Sequence, residues 1–330
     1  MWSTRSPTVS LSAARIRPSF YANSKEPDLS RFIRIVLFLV IVLAALAWLY
    51  PPARLFALAA VGRSPVCSLS EAVKSNENLR RQIAYKDQIL AASKWVETDA
   101  AGFELWDTPS GRFWIPVGSR YVLPFNLAEQ KRRIYGDGQQ SARAGEVVLD
   151  CGANVGVTAR VWLNDGAKLV VAIEPAPENI ECLRRNFKDE ISAGRVIVYP
   201  KGVWDKDEIM PMQIDPQNSA ADSFLIHREG GKEVKGIPLT TIDKLVSELK
   251  LDRVDFIKMD IEGAEPRAIV GAHDTIGKYH PRMSLCTYHA PDHPWTVPKL
   301  VREAWPGYRT KCGPCAEANH AVRPDVLYFY

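Results

Sequence analysis

The chain has 330 residues, of which 46% are hydrophobic and 24% are charged, and its formal net charge is +4. These fractions are those of a globular protein with one large core. The positive charge is concentrated in residues 1–63, which carry eight Lys or Arg and two acidic residues. The rest of the chain is slightly acidic, which argues against a nucleic-acid-binding groove.

The N-terminal part of the chain predicts a basic tail followed by a membrane anchor. Residues 1–30 are rich in Ser, Pro and Arg, a composition typical of disorder. Residues 35–50 carry no charge, and with their apolar flanks they reach the length of a membrane span. A core helix would show a polar stripe, and a signal peptide would lie nearer the N-terminus and end in a small-residue cleavage site. We therefore expect an anchor over residues 31–62 that enters the membrane through residues 33–50.

Two further regions precede the predicted core. Residues 63–100 predict a helical stalk or linker, because their apolar side chains fall near one face of a helix up to about Glu97. Residues 103–117 are typical of a hairpin around a Thr-Pro-Ser-Gly turn, and a helix is expected over residues 127–135. Together, residues 101–145 are interpreted as an N-terminal cap of the catalytic domain.

Residues 146–330 alternate between apolar strands and helices, which predicts an α/β fold with a doubly wound, mostly parallel sheet. A β-like insertion, residues 208–239, interrupts the alternation and is expected to flank the substrate. The last residues, 326–330, predict a strand that pairs antiparallel with residues 308–311. The predicted parallel strands are Val147–Asp150, Leu169–Glu174, Arg195–Tyr199, Val254–Asp260 and Met283–Tyr288.

The first of these strands ends in an acid and runs into a glycine turn, as in sheets that bind nucleosides. The turn reads G-x-N-x-G, so Asn154 and Val155 crowd the place where a dinucleotide would put its pyrophosphate. Asp150 just before the turn repels a pyrophosphate but suits a cationic ligand. S-adenosylmethionine, with its ammonium and sulfonium, fits this pattern better than a nicotinamide cofactor does.

The second strand ends in Glu174, which can accept hydrogen bonds from two ribose hydroxyls. After the third strand, the backbone at Val203 and the ring of Trp204 are candidates for contact with adenine, and a core role for Trp204 is an equal alternative. The candidate cofactor-binding residues are therefore Asp150, Gly152, Asn154, Gly156, Glu174, Val203 and Trp204.

A second acidic motif, K-M-D-I-E-G-A-E, follows the fourth strand at residues 258–265. Asp260 and Glu262 point to the same side of an extended chain and face the crevice at the carboxyl edge of the sheet. They could orient an acceptor hydroxyl, hold a divalent metal or contact the amino group of the cofactor. His289, at the end of the fifth strand, is the first candidate for a general base, and Asp260 is the second.

The six cysteines do not form a disulfide framework, and we expect most of them to be reduced thiols. No metal ligand is assigned. His289 and His293, together with Cys312 and Cys315, do have the spacing of zinc ligands, and such a zinc would remove His289 from catalysis.

Four motifs in order resemble those of the FkbM-type S-adenosylmethionine-dependent methyltransferases. They read DCGANVG, AIEPAPEN, TTIDKL and VDFIKMDIEGAE, and the resemblance covers about residues 120–330. It implies a seven-stranded, Rossmann-like class I methyltransferase fold and methyl transfer to a hydroxyl oxygen. At the fifth strand the chain has Cys-Thr-Tyr-His where such proteins often have an acid before the histidine.

We therefore expect a membrane-anchored S-adenosylmethionine-dependent O-methyltransferase that acts on a hydroxyl of a glycan, glycolipid or other metabolite. The alternatives are a non-catalytic scaffold that binds the cofactor at the membrane and, less favoured, a nicotinamide-dependent oxidoreductase. The partners are the membrane and a small-molecule or glycan acceptor, with no nucleic acid; the sequence does not specify an oligomeric state.

The side of the membrane on which the catalytic part lies is subject to two opposing arguments. Basic residues before the span put the N-terminus in the cytosol, so a single span would put the body outside. S-adenosylmethionine is made in the cytosol, and a hairpin bent at Pro51 and Pro52 would keep both ends there. Cofactor supply favours the cytosolic face.

Overall fold

The computed structural model describes residues 29–136, 138–318 and 320–330. The predicted disordered tail lies outside these residues except for Leu29 and Ser30, which begin a helix. The chain divides into two units, one ending at Leu49 and one covering Tyr50–Tyr330. In the described part of the first unit, helix α1 (Leu29–Leu49) is 21 residues long and apolar enough to cross a membrane by length and composition.

The second unit begins with two helices, a small antiparallel sheet and a further helix. These elements are α2 (Pro51–Ala60), α3 (Leu69–Ala92), β1 (Lys94–Thr98), β2 (Phe103–Thr108), β3 (Gly111–Pro116) and α4 (Val122–Lys131). The hairpin of β2 and β3 forms as predicted. The helix predicted up to about Glu97 ends at Ala92, because the next residues pair with β2 instead.

Helix α3, the predicted stalk, lies against the body of the second unit. It begins with a capping box in which Ser68 and Glu71 satisfy each other's backbone N–H groups. Its buried Gln82 donates a hydrogen bond to the carbonyl of Phe125 in α4 and accepts one from Arg132. The helix is thereby fixed against α4 and the residue that follows it.

The rest of the unit alternates strands and helices. They are β4 (Val147–Cys151), α5 (Val157–Asn164), β5 (Leu169–Ile173), α6 (Pro177–Asn186), α7 (Lys188–Ser192), β6 (Val196–Tyr199), β7 (Gly202–Val203), β8 (Glu208–Ile214), β9 (Lys232–Thr240), α8 (Ile242–Glu248), β10 (Phe256–Met259), α9 (Glu265–Val270), α10 (His273–Tyr279), β11 (Arg282–Cys286), α11 (His293–Ala304), β12 (Thr310–Cys312), β13 (Cys315–Ala318), β14 (Ala321–Pro324) and β15 (Val326–Phe329).

The central sheet has seven strands in the order β6-β5-β4-β10-β11-β15-β12. Its strands from β6 to β11 are parallel, whereas β15 pairs antiparallel with both β11 and β12. The sheet is therefore mixed, and the predicted pairing of the last strand with the segment near Tyr308 is confirmed. All five residues of β4 are buried, because helices cover both faces of the sheet.

One disulfide joins the start of α3 to the hairpin of β13 and β14. Cys67 and Cys315 are 248 residues apart in sequence, and this pairing was not predicted. The other four cysteines are free, as expected for most of them: Cys151, Cys182, Cys286 and Cys312.

Candidate active site

Two cavities lie at the carboxyl ends of β4, β5 and β10, where ligands bind in sheets of this kind. The larger cavity has a volume of about 460 Å³. The smaller cavity has Glu174, Val203 and Phe224 on its wall. The two cavities meet at a shared wall made of Gly152, Asn154, Ala220, Asp260 and Glu262.

The turn after β4 is stabilised by a buried ion pair between Asp150 and Lys258. The Asp150 carboxylate is fully buried, and its Oδ1 lies 3.2 Å from Nζ of Lys258. Lys258 also donates a hydrogen bond to the carbonyl of Gly152, at 2.7 Å. Burial raises the pKa of Asp150, and Lys258 opposes this rise. The sequence led us to expect that Asp150 itself lines the part of the site that would hold the methionine end of the cofactor. Instead, Lys258 lies on the cavity wall and Asp150 does not, so Asp150 acts on the turn through Lys258.

Asn154 has a left-handed backbone conformation, with φ at 50°. Its side-chain amide donates to the carbonyl of Ser219, at 2.8 Å. Its Oδ1 is buried and has no hydrogen-bond partner among the described residues. This oxygen therefore leaves an acceptor available on the shared wall, which suits a ligand that carries N–H or O–H donors.

Glu174, the candidate ribose ligand, lies on the wall of the smaller cavity. Its carboxylate accepts the backbone N–H of Asn154, at 2.8 Å, and that of Ala176, at 3.0 Å. Burial raises the pKa of Glu174, although these two hydrogen bonds work in the opposite direction. The contacts fix the carboxylate next to the glycine turn.

One aromatic side chain and one acid complete the wall of the smaller cavity. Val203, a candidate for adenine contact, lines this cavity, but Trp204, the other candidate, does not. Trp204 is buried behind Phe224, with the ring centroids 6.4 Å apart in an edge-to-face arrangement. The aromatic wall is therefore Phe224, and Trp204 supports it from the core. Asp222 also lines this cavity, and burial raises its pKa to about 8.

The insertion between β8 and β9 covers both cavities. Ala220 in this segment contributes to the wall of each cavity. Arg228 forms an ion pair of 2.7 Å with Glu262, and Ser223 donates to the Glu262 carbonyl at 2.9 Å. The expectation that the insertion flanks the binding site thus agrees with its placement.

Asp260 is the centre of a hydrogen-bond network on the shared wall. The hydroxyl of Tyr135 donates to Oδ2, and that of Tyr288 lies 3.3 Å from Oδ1. Burial alone would raise the pKa of Asp260, but Lys258 and His289 outweigh it and the pKa is lowered. The carboxylate is thus held ionised beside the larger cavity, where it can accept a hydrogen bond from a substrate hydroxyl.

His289 lies behind these carboxylates and not on either cavity wall. Its side chain is 3% exposed, and Nδ1 lies 2.9 Å from Glu265. Burial lowers its pKa, but Glu265, Glu262 and Asp260 together outweigh burial and raise the pKa to about 10. A ring that holds its proton at neutral pH and lies off the cavity wall is a poor general base, which weighs against our first candidate.

The four residues considered for zinc are not brought together. His289 and His293 both face Glu265, with His293 Nδ1 at 3.5 Å from it. Cys315 is in the disulfide, and Cys312 lies close to that disulfide instead of close to the histidines.

Several wall residues were not singled out from the sequence, namely Lys258, Phe224, Asp222, Tyr135 and Tyr288. Lys258 belongs to the acidic motif, and a lysine inside a buried strand is a signal for a paired acid. Phe224 and Asp222 lie in the insertion that was expected to flank the substrate, and Tyr288 precedes His289, but none of these side chains was given a role from the sequence.

Residues 150–304 match the family model described as the methyltransferase FkbM domain. No curated protein matches the chain. Among solved structures, the chain is similar to methyltransferase FkbM from Methylobacillus flagellatus KT, at 18% identity and a TM-score of 0.43, over 79% of this chain and 62% of that one. It thus spans less than two thirds of the length of that protein.

Two further solved structures are more distantly similar. Trm5b from Pyrococcus abyssi has 14% identity and a TM-score of 0.35, over 72% of this chain and 55% of that one. TYW2 from M. jannaschii, solved in complex with AdoMet, has 13% identity and a TM-score of 0.35, over 72% and 85%. The family assignment rests on the match of the domain model, and residues 150–304 of this chain are an FkbM-type methyltransferase domain.

Proposed function

We propose that this protein is an S-adenosylmethionine-dependent O-methyltransferase that acts on a hydroxyl of a glycan, glycolipid or similar metabolite. The observation that carries the proposal is the position of Glu174, whose carboxylate is fixed against the backbone of Asn154 on the wall of a cavity at the carboxyl edge of the sheet. An acid at this place is suited to the two hydroxyls of a ribose.

The residues around the cavities fit the cofactor. Glu174 would hold the ribose, Val203 and Phe224 would contact the adenine, and the free Oδ1 of Asn154 would accept a hydrogen bond from a donor group. Gly152 allows the turn to pack directly against the backbone of Asp260, since a Cβ at this position would clash with that backbone. When bound, S-adenosylmethionine supplies a methyl group on a positively charged sulfur.

The larger cavity is the proposed acceptor site. Its wall combines aromatic rings, at Tyr121 and Phe125, with the amides of Asn126 and Gln217. Aromatic and amide groups together suit a polyhydroxylated molecule, because the rings cover C–H faces and the amides bond to hydroxyls. Asp260 would accept the hydrogen bond of the reacting hydroxyl and orient its oxygen, so that positioning provides much of the rate.

We further propose that α1 anchors the protein and that the catalytic unit lies in an oxidising compartment. The disulfide between Cys67 and Cys315 favours such a compartment, since disulfides are rare in the cytosol. The basic residues before α1 favour the same side, although cytosolic cofactor supply favours the other. Protease protection of sealed membranes tests this: digestion of the catalytic unit in intact cytosol-facing-out vesicles would contradict it.

The cofactor proposal is tested by calorimetric titration of S-adenosylmethionine into the detergent-solubilised full chain, with NADH as the control ligand. We expect micromolar binding of S-adenosylmethionine and none of NADH. Glu174→Gln should weaken binding at least tenfold, whereas Glu178→Gln, at an exposed position four residues later, should not. No binding by folded protein would contradict the proposal, and binding without turnover on any acceptor would favour the non-catalytic scaffold.

A further inference from the structure

The ring of His289 is surrounded by three carboxylates at the edge of the larger cavity. Its Nδ1 lies 2.9 Å from Glu265, and its Nε2 lies 3.4 Å from Asp260 Oδ1 and 3.4 Å from Glu262 Oε1. We infer that this is a divalent-cation site, in which Nε2 of His289 and the carboxylates of Asp260 and Glu262 are the protein ligands.

Glu265 fixes the orientation of the ring. Its fully buried carboxylate accepts the backbone N–H of Ile261 at 3.0 Å, with the same oxygen that faces Nδ1 of His289. When an ion displaces the proton on Nε2, the remaining proton on Nδ1 points to Glu265, and the lone pair of Nε2 points to the other two carboxylates. Metal-binding histidines are commonly held in this way by a carboxylate on the second nitrogen.

The Nε2 atom is buried and has no hydrogen-bond partner within the described ranges. A proton on Nε2 would have its nearest carboxylate oxygens at 3.4 Å, whereas charge-assisted hydrogen bonds are about 2.7–2.9 Å long. Metal bonds of about 2.1 Å place neighbouring ligand atoms of one ion roughly 3.0–3.4 Å apart. An ion bound to Nε2 and the carboxylates would satisfy this nitrogen better than a proton would.

Access is provided by the carboxylates themselves, because Asp260 and Glu262 both line the larger cavity. Coordination positions not used by the protein would therefore face the acceptor. Two carboxylates and one imidazole suit Mn²⁺, Fe²⁺ or Zn²⁺. This role in acceptor binding rests on the proposed function, whereas binding of the ion itself does not.

The test uses the full chain in detergent, stripped of metals with a chelator and dialysed. Mn²⁺ is titrated, and the loss of the free-ion electron paramagnetic resonance signal is measured, without any cofactor present. We expect one bound equivalent. Glu262→Gln and His289→Gln should each weaken binding by about tenfold or more. His273→Gln, whose side chain is 61% exposed and distant in sequence from the motif, should bind as the unmodified chain does.

The same samples are titrated with S-adenosylmethionine, so that the two proposals can fail separately. Protein that binds the cofactor but takes up no Mn²⁺ would overturn the cation site and identify the ring as a protonated one. Uptake of one Mn²⁺ that is lost in both variants would support the site, even if no cofactor bound. Uptake that persists unchanged in both variants would place the ion elsewhere and overturn the inference.

Discussion

The backbone of Asp260 occupies the space that a side chain on Gly152 would need. An ideal Cβ on Gly152 would lie 1.9 Å from the carbonyl oxygen of Asp260, and Gly152 has φ of +78°. The turns after β4 and β10 therefore contact each other directly at the wall that the two cavities share. This contact joins the glycine turn to the acidic motif.

Gly152→Ala should consequently destabilise the protein and abolish S-adenosylmethionine binding. The matched control is Gly145→Ala, where φ is +80° and no atom lies within 4 Å of the added Cβ. The control should lose only about 1–2 kcal/mol of its free energy of unfolding, which is the cost of a left-handed backbone conformation at a residue with a Cβ, and it should keep its cofactor affinity. Urea unfolding and calorimetry measure the two quantities. Equal effects of the two substitutions would show that the contact with Asp260 has no energetic consequence.

Phe224 and Trp204 should respond differently to substitution. Phe224→Ala removes the aromatic wall of the smaller cavity and should reduce cofactor affinity by about tenfold or more, since stacking on an aromatic ring is worth about 1–3 kcal/mol per base. Trp204→Ala empties a buried site and should cost about 3–5 kcal/mol of stability. Thermal unfolding and cofactor titration of both variants separate the effects. A Phe224→Ala variant with normal affinity would contradict the assigned adenine contact.

Asp222 should make stability depend on pH. Its folded pKa is raised from 3.8 to about 8, mainly by burial. The folded state therefore binds the proton more tightly than the unfolded state, and the stability from this group is lost as pH rises from about 4 to about 8. Asp222→Asn cannot titrate, so its free energy of unfolding relative to the unmodified chain should rise between about pH 4 and pH 8 and level off above that. A difference that stays constant over this range, measured by urea unfolding, would contradict the shift.

The disulfide between Cys67 and Cys315 closes a loop of more than two hundred residues, with a sequence separation of 248. Cys67→Ser should lower the free energy of unfolding by about 2–5 kcal/mol. Cys312→Ser, which leaves the disulfide intact, is the control. Thermal unfolding with and without a reductant provides the measurement, and the reductant should affect the control but not Cys67→Ser. Insensitivity of the unmodified chain to reductant would mean that this bond does not form.

The sequence determined the class of the fold and the position of the cofactor turn. Strands such as β4 and β5 are continuous apolar runs, and the acids that end them, Asp150 and Glu174, are local signals that need no distant partner to be recognised. The apolar run at residues 326–330 likewise predicted a last strand, and β15 pairs antiparallel with the segment near Tyr308 while lying between β11 and β12. The helix predicted near residues 127–135 was displaced to Val122–Lys131, since helix ends depend on packing.

The tertiary structure alone decided which side chains face the cavities. Lys258 and not Asp150 reaches the wall, and Phe224 lines the smaller cavity while Trp204 takes the core position that was its equal alternative. His289 was expected to be a general base, but it is buried among three carboxylates that keep its ring protonated. These carboxylates come from the segment after β10, whereas His289 follows β11. Burial and pairing depend on contacts between segments far apart in the chain, which a local sequence pattern does not encode.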